Sequence, residues 1–236
     1  MPVLALETAT TRASVVLAKN DGELAAWRET THQDLCRRLA GEVQAVLADA
    51  DTPFADLSLV AVGLGPGSFT SLRVGLATAK AIALSRRVPL VGVSSLSAMA
   101  WQVRDRISGL LCPVLDARRG DLYAACYRLL PDGLAPVAAE FVANPRELID
   151  KLTAIEEPIT VFGQWGEVPT GDLTGADLGR VTIWSEEEIL PDALAVAQLA
   201  RRRYAERGAD EIGPLHPIYV RKSYAEEKFD LDLGLR

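Results

Sequence analysis

The sequence predicts an α/β protein built as two tandem units, and three observations carry that expectation. An apolar run that closes on an acid, a short polar turn and a second apolar run occur at 2–19 and again at 110–127. The internal spacing agrees, since Glu7 and Val15 are eight residues apart and so are Asp116 and Ala124. After each hairpin, segments of helical period alternate with short apolar runs, the order expected of a sheet covered by helices.

Taken in order, 2–7 and 13–19 read as two paired strands around the polar turn from Thr8 to Arg12, and a third strand at 23–29 follows the turn Asn20-Asp21-Gly22. Leu35, Leu39, Val43, Val46 and Leu47 recur at helical spacing, so a helix is expected over about 33–49, opened by Thr31 and Asp34 as a weak capping box. A strand at 57–64, a glycine-rich turn, a helix over 68–86 halted before Pro89, a strand at 90–93 and a helix over 94–106 complete the first unit. The second unit continues with a strand at 136–142, a helix at 145–152, a strand at 159–163 and a helix at 192–206. Residues 164–191, rich in Gly, Pro and acids, are expected to form a long loop. The two domains are expected at 1–108 and 109–236.

Composition narrows the function class. The 236 residues are 49% hydrophobic and 24% charged with a mean hydropathy of +0.12, an ordinary globular balance on the apolar side. A net charge of −7 argues against a primary grip on nucleic acid, which calls for a basic face. The short basic clusters Arg86-Arg87, Arg118-Arg119 and Arg201-Arg202-Arg203 read as solvated faces. Cys36, Cys112 and Cys126 lie far apart with no CxxC spacing, the pattern of reduced, mostly buried thiols in a cytoplasmic protein. The amino terminus has no basic n-region or long apolar h-region, and no apolar stretch has the length of a membrane span, so a soluble cytoplasmic chain without a leader is expected.

The stretch GLGPGSFTSLRVGLATAKAIAL at 63–84 poses the main chemical question. A P-loop needs a Gly-Lys pair, which is missing, and a dinucleotide fingerprint needs glycine where Ser68 stands. The turn therefore reads as structural, with Ser68 or Thr70 capping the helix. That helix is apolar on both sides: Leu72, Gly75, Leu76, Ala79, Ile82 and Ala83 form one face, and Val74, Ala77, Ala81 and Leu84 the other. Gly75, Ala79 and Ala83 would admit a second helix closely. With Leu39, Val43, Val46 and Leu47 of the preceding helix they are the candidate partner interface; internal packing is the alternative.

Glu7 and Asp116 end strands at equivalent places, where a carboxylate can hold metal-bound phosphate or simply close a turn. The two histidines, His32 and His216, build no HxxxH or HExxH site and suggest no nucleophilic triad.

The repeated plan resembles the duplicated ribonuclease H-like fold of the actin, sugar kinase and Hsp70 superfamily. More narrowly, LALETAT (4–10), GLGPGSFTSLRVGLATAKAIAL (63–84), VPLVGVSSLSAMA (88–100), VLDARRGDLYAACY (114–127) and PIYVR (217–221) resemble the TsaB family, also called YeaZ, of threonylcarbamoyladenosine biosynthesis proteins. The resemblance implies a non-catalytic partner of the catalytic paralogue TsaD. That complex also uses the ATPase TsaE and modifies the adenosine next to the anticodon of ANN-decoding tRNAs, with threonylcarbamoyl-adenylate supplied by a separate synthase. It implies that the two helices of the first unit bind the paralogue, or a second copy when it is absent, and that tRNA is met only through the complex. Ser95 and Met99 stand where the paralogue has metal-binding histidines, so neither metal nor cofactor is expected. Glu7 replaces the usual Asp and Ser71 the usual Gly of the family, and Ser71 puts a side chain on the first turn of the docking helix. The competing classes are an ATP-dependent kinase of the same superfold, a metallopeptidase, and an independent homodimer.

Overall fold

The computed structural model describes residues 1–20, 22–30, 34–131, 133–166, 178–184 and 188–221. The first unit runs β1 (Pro2–Glu7), β2 (Arg12–Lys19), β3 (Gly22–Thr30), α1 (Leu35–Asp49), a single 3-10 turn (Phe54–Asp56), β4 (Leu59–Gly63), α2 (Phe69–Arg86), β5 (Leu90–Val93) and α3 (Ser95–Gln102). The second runs β6 (Leu110–Asp116), β7 (Leu122–Leu130), β8 (Gly133–Ala143), α4 (Pro145–Thr153), β9 (Ile159–Gly163), β10 (Val181–Trp184) and α5 (Ala193–Arg207).

The sheets have the order β3-β2-β1-β4-β5 and β8-β7-β6-β9-β10. In each, the first three strands pair antiparallel and the last two join parallel, so the duplication seen in the hairpins extends to the whole topology. This is the ribonuclease H-like plan in two copies, an actin-like fold. Strand β10 falls inside the segment expected to be loop. Its four residues, Val-Thr-Ile-Trp, pair in register with β9 and close the sheet, a run too short to outweigh the turn-forming composition around it.

Alternation along the strands assigns the faces. Leu4, Leu6, Val15, Leu17, Val60 and Val62 point to α1 and α2, whereas Val3, Ala5, Val16, Leu59 and Ala61 point to α5 and Trp101. In the second sheet, Cys112, Val114, Ala124 and Val161 pack under α4, and Leu111, Leu115, Ala125 and Phe162 meet α3. Helices α3 and α5 thus fill the space between the sheets, joined by Trp101 Nε1 donating to Gln198 at 2.8 Å.

Sequence order places α5 in the 109–236 half, but the helix packs on β1, β2, β4 and β5 of the first sheet. Its first turn is held there by polar contacts. Ala193 N–H donates to Ser14 Oγ, Asp192 caps Leu194 N–H, and Arg28 forks onto Asp192 at 2.5 and 3.0 Å. Nor is the Arg201–Arg203 cluster simply a solvated face. Arg203 reaches Gly92 O and Asp210, and Arg202 lies over the Trp101 ring. Beyond α5 the chain returns across the first unit, with Ile218 N–H donating to Leu64 and Arg221 holding Ala117 O and Asp121 in the second.

Helix ends differ from expectation in detail. Ser68 makes no side-chain cap; its hydroxyl lies 3.0 Å from Ser71 Oγ instead. The helix expected to 106 stops at Gln102 and continues as turns. Thr31 of the expected capping box, Asp21 of the hairpin turn, His32 and half of 164–191 lie outside the described residues.

Candidate functional site

The end of β1 and the glycine-rich turn after β4 lie against one another because β1 and β4 are parallel neighbours. Glu7 is fully buried there. Its Oε1 accepts the Ala9 N–H at 2.7 Å and its Oε2 accepts the Ser95 hydroxyl at 2.8 Å, while Ser95 Oγ accepts the Gly65 N–H at 3.1 Å. Burial, only partly offset by these bonds, lifts the Glu7 carboxyl from 4.5 to about 7. The space it occupies exists only because residue 63 is glycine: a Cβ there would overlap the carboxylate. A side chain of the molecule itself therefore fills the concavity that the spacing of the glycines offered to a phosphate.

A cleft of about 810 Å³ opens beside this lock, between the units. Thr10, Thr11, Ser68, Thr70 and Ser71 line one wall and Asp116, Arg118 and Gln164 the other. Asp116 lies on the wall but is occupied: its Oδ1 accepts the Arg118 N–H at 2.7 Å and its Oδ2 faces the Arg118 guanidinium at 3.2 Å. Of the two strand-end acids, the structure thus seals Glu7 inside and leaves Asp116 at the cleft. Ser95 and Met99 are both fully buried, the first committed to Glu7 and the second packed in the cluster between α3 and the second sheet. Among the described residues no three His, Cys, Asp or Glu side chains gather into a group able to hold a metal ion.

The candidate interface residues need a correction. Leu39, Val43, Val46, Leu47, Leu72, Gly75, Leu76, Ala79 and Ala83 are buried in the core of the chain itself, and Ile82 is half-buried. Gly75 faces Thr8, where a Cβ would overlap the hydroxyl that donates to Ser71 O. The small residues of α2 admit the β1–β2 turn and the sheet, because a helix lying on parallel strands must approach them closely. Of the second apolar side, Val74 is half-buried against the core and the rest is left open. Ala77, Ala81 and Leu84 on α2, the last 63% exposed, and Ala40, Gly41, Ala45 and Ala48 on α1 face outward on two packed helices. The residues that the spacing picked out on these two helices are thus spent on the chain's own core.

TsaB of Escherichia coli, a tRNA threonylcarbamoyladenosine biosynthesis protein, is 31% identical over 97% of this chain and 98% of its own length. The chain belongs to the TsaB family. TsaB of Bacillus subtilis is 27% identical over the same shares of the two chains. The family model for TsaD, tRNA N6-adenosine threonylcarbamoyltransferase, matches residues 29–162, a span that crosses the junction of the two units. A Pseudomonas aeruginosa crystal structure described as similar to the peptidase YEAZ superposes with a TM-score of 0.80 at 24% identity, covering 93% of this chain and 99% of that one, and shows the same fold. In this TsaB chain the residues that sequence reasoning missed are Gly63 and Ser95 as partners of Glu7. The available signal was a glycine ending β4 directly beside the acid that ends β1.

Proposed function

We propose that this chain is a non-catalytic subunit of the machinery that makes threonylcarbamoyladenosine in tRNA, and that it docks on the TsaD-type paralogue. The observation that carries the non-catalytic reading is the sealed Glu7. A phosphate-handling site at this place in the fold needs the acid at the end of β1 in the cleft, free to meet a cation. Here it is fully buried and bonded to Ala9 and Ser95. Family membership supports the pathway, and the open faces of α1 and α2 support docking.

In this reading Ala40, Ala45, Ala48, Ala77, Ala81 and Leu84 form the contact, with small side chains allowing helix backbones of the partner to come close. The partner is the paralogue when present and a second copy otherwise; the TsaE-type ATPase joins the assembly, and tRNA is met through it. Among the described residues no helix is long and apolar enough to cross a membrane, in keeping with work on cytoplasmic tRNA.

Reconstitution tests the proposal. Paralogue, ATPase, synthase, tRNA, threonine, bicarbonate and ATP are combined with and without this chain. Modification that requires the chain, together with none by the chain alone, is the expected result. Full modification without it, or modification by it unaided, rejects the proposal.

A further inference from the structure

Cysteines that the sequence separates are brought together by the second sheet. Cys112 on β6 and Cys126 on β7 are fully buried in one apolar cluster under α4, whereas Cys36 is exposed. The register of Leu111 with Tyr127 and of Val114 with Ala124 sets Cys112 directly opposite Cys126. The kind of pair they make follows from the other edge of β6. Leu110 N–H donates to Pro158 and Gln164 N–H donates to Val114 O, so the backbone groups of 110 and 114 point toward β9. By alternation those of Cys112 do as well.

Cys112 and Cys126 are therefore a non-hydrogen-bonded pair of an antiparallel ladder, the kind whose Cα atoms lie about 4.5 Å apart. Disulfides span Cα separations of about 4.4 to 6.8 Å, so the bond can form with little movement of the strands. The thiols already interact. Their shared hydrogen bond, with burial, pushes the Cys112 thiol up, and the same bond holds Cys126 below the usual thiol range. Pairing of β7 with β8 is irregular on both sides of Cys126, which gives the outer flank of that residue a local route to opening.

We propose that Cys112 and Cys126 are a redox-modification site, a cross-strand dithiol that a small-molecule disulfide converts to an intrachain disulfide. The Cys126 thiolate attacks one oxidant sulfur, forming a mixed disulfide and expelling one thiolate, which takes up the Cys112 proton. The Cys112 thiolate then attacks Cys126 sulfur and expels the second thiolate, which takes up from solvent the proton that the Cys126 thiol released on ionising. The protein loses two electrons and two protons; the oxidant disulfide is reduced to two thiols. The new bond closes the loop 113–125, which carries Asp116 and Arg118 of the cleft wall and the Ala117 and Asp121 atoms gripped by Arg221. Oxidation thereby stiffens one side of the cleft.

The test uses the full chain with Cys36→Ser, which removes the exposed thiol. It is held folded in excess oxidised glutathione, while amide exchange of β6 and β7 follows opening of the hairpin. Intact mass under denaturing, non-reducing conditions should fall by two hydrogens. Digestion should give one peptide pair joined through Cys112 and Cys126, dithiothreitol should reverse both changes, and the oxidised form should melt higher. In the Cys36→Ser, Cys112→Ser chain, Cys126 should instead accumulate a glutathione adduct. Thiols that stay free after the strand amides have exchanged, or stable adducts without the cross-link in the first variant, overturn the proposal.

Discussion

Replacing Glu7 with glutamine should remove a pH dependence of stability that the wild-type chain carries. The carboxyl is fully buried, and burial raises it from 4.5 to about 7. A raised carboxyl binds its proton more tightly in the folded state. Its contribution is therefore fully present below pH 4.5 and is lost as pH climbs through about 7. The whole span corresponds to about 3 kcal/mol, of which about 2 kcal/mol falls between about pH 5.5 and about pH 8. Glutamine keeps the shape and cannot ionise. Urea unfolding of both proteins at the two pH values reads the difference, because every other titrating group cancels between them. The wild-type chain should lose about 2 kcal/mol more than Glu7→Gln on going to the higher pH. Parallel pH profiles would refute the claim that Glu7 is locked in a dry site.

Three further perturbations follow from the packing. Gly75→Ala, which in an open helix would gain about 1 kcal/mol, should instead cost about 1–3 kcal/mol in urea unfolding because the new methyl meets Thr8. Asp192→Ala removes the cap of α5 and the fork from Arg28, and should cost about 2 kcal/mol, with an earlier change in Trp101 fluorescence on denaturation. Ala45→Arg and Ala81→Arg, on exposed positions, should leave stability within about 0.5 kcal/mol. The same two variants should weaken binding of the paralogue at least about tenfold in a titration, and unchanged affinity would remove α1 and α2 from the interface.

Much of the fold was legible because it is written in local periods. The hairpins at 2–19 and 110–127 show as short apolar runs broken by a polar turn, the mark of strands buried on both faces, and α1 shows a one-sided helical spacing along its length. Strand β10 was not legible, since four residues in a stretch of turn formers carry too little pattern. The seat of α5 was hidden for a different reason. Its polar anchors, Ser14 and Arg28, lie more than 160 residues earlier in the chain, at separations of 179 and 164. The cysteines occupy a middle ground: Cys112 and Cys126 are equidistant from the turn centred on Arg119, but only a known hairpin register turns that symmetry into a contact.

The sequence by itself determined the two-unit plan, the order of elements apart from β10, and membership in the TsaB family, because apolar runs and motifs are properties of neighbouring residues. Only the tertiary structure decided which side of α2 is spent on the core, that Glu7 is sealed by Gly63 and Ser95 while Asp116 stays at the cleft, and that two distant thiols meet. The physical reason is desolvation. Whether a carboxylate, a small-residue stripe or a thiol acts on a ligand, a partner or its own chain depends on what excludes water from it, and those groups arrive from elsewhere in the sequence.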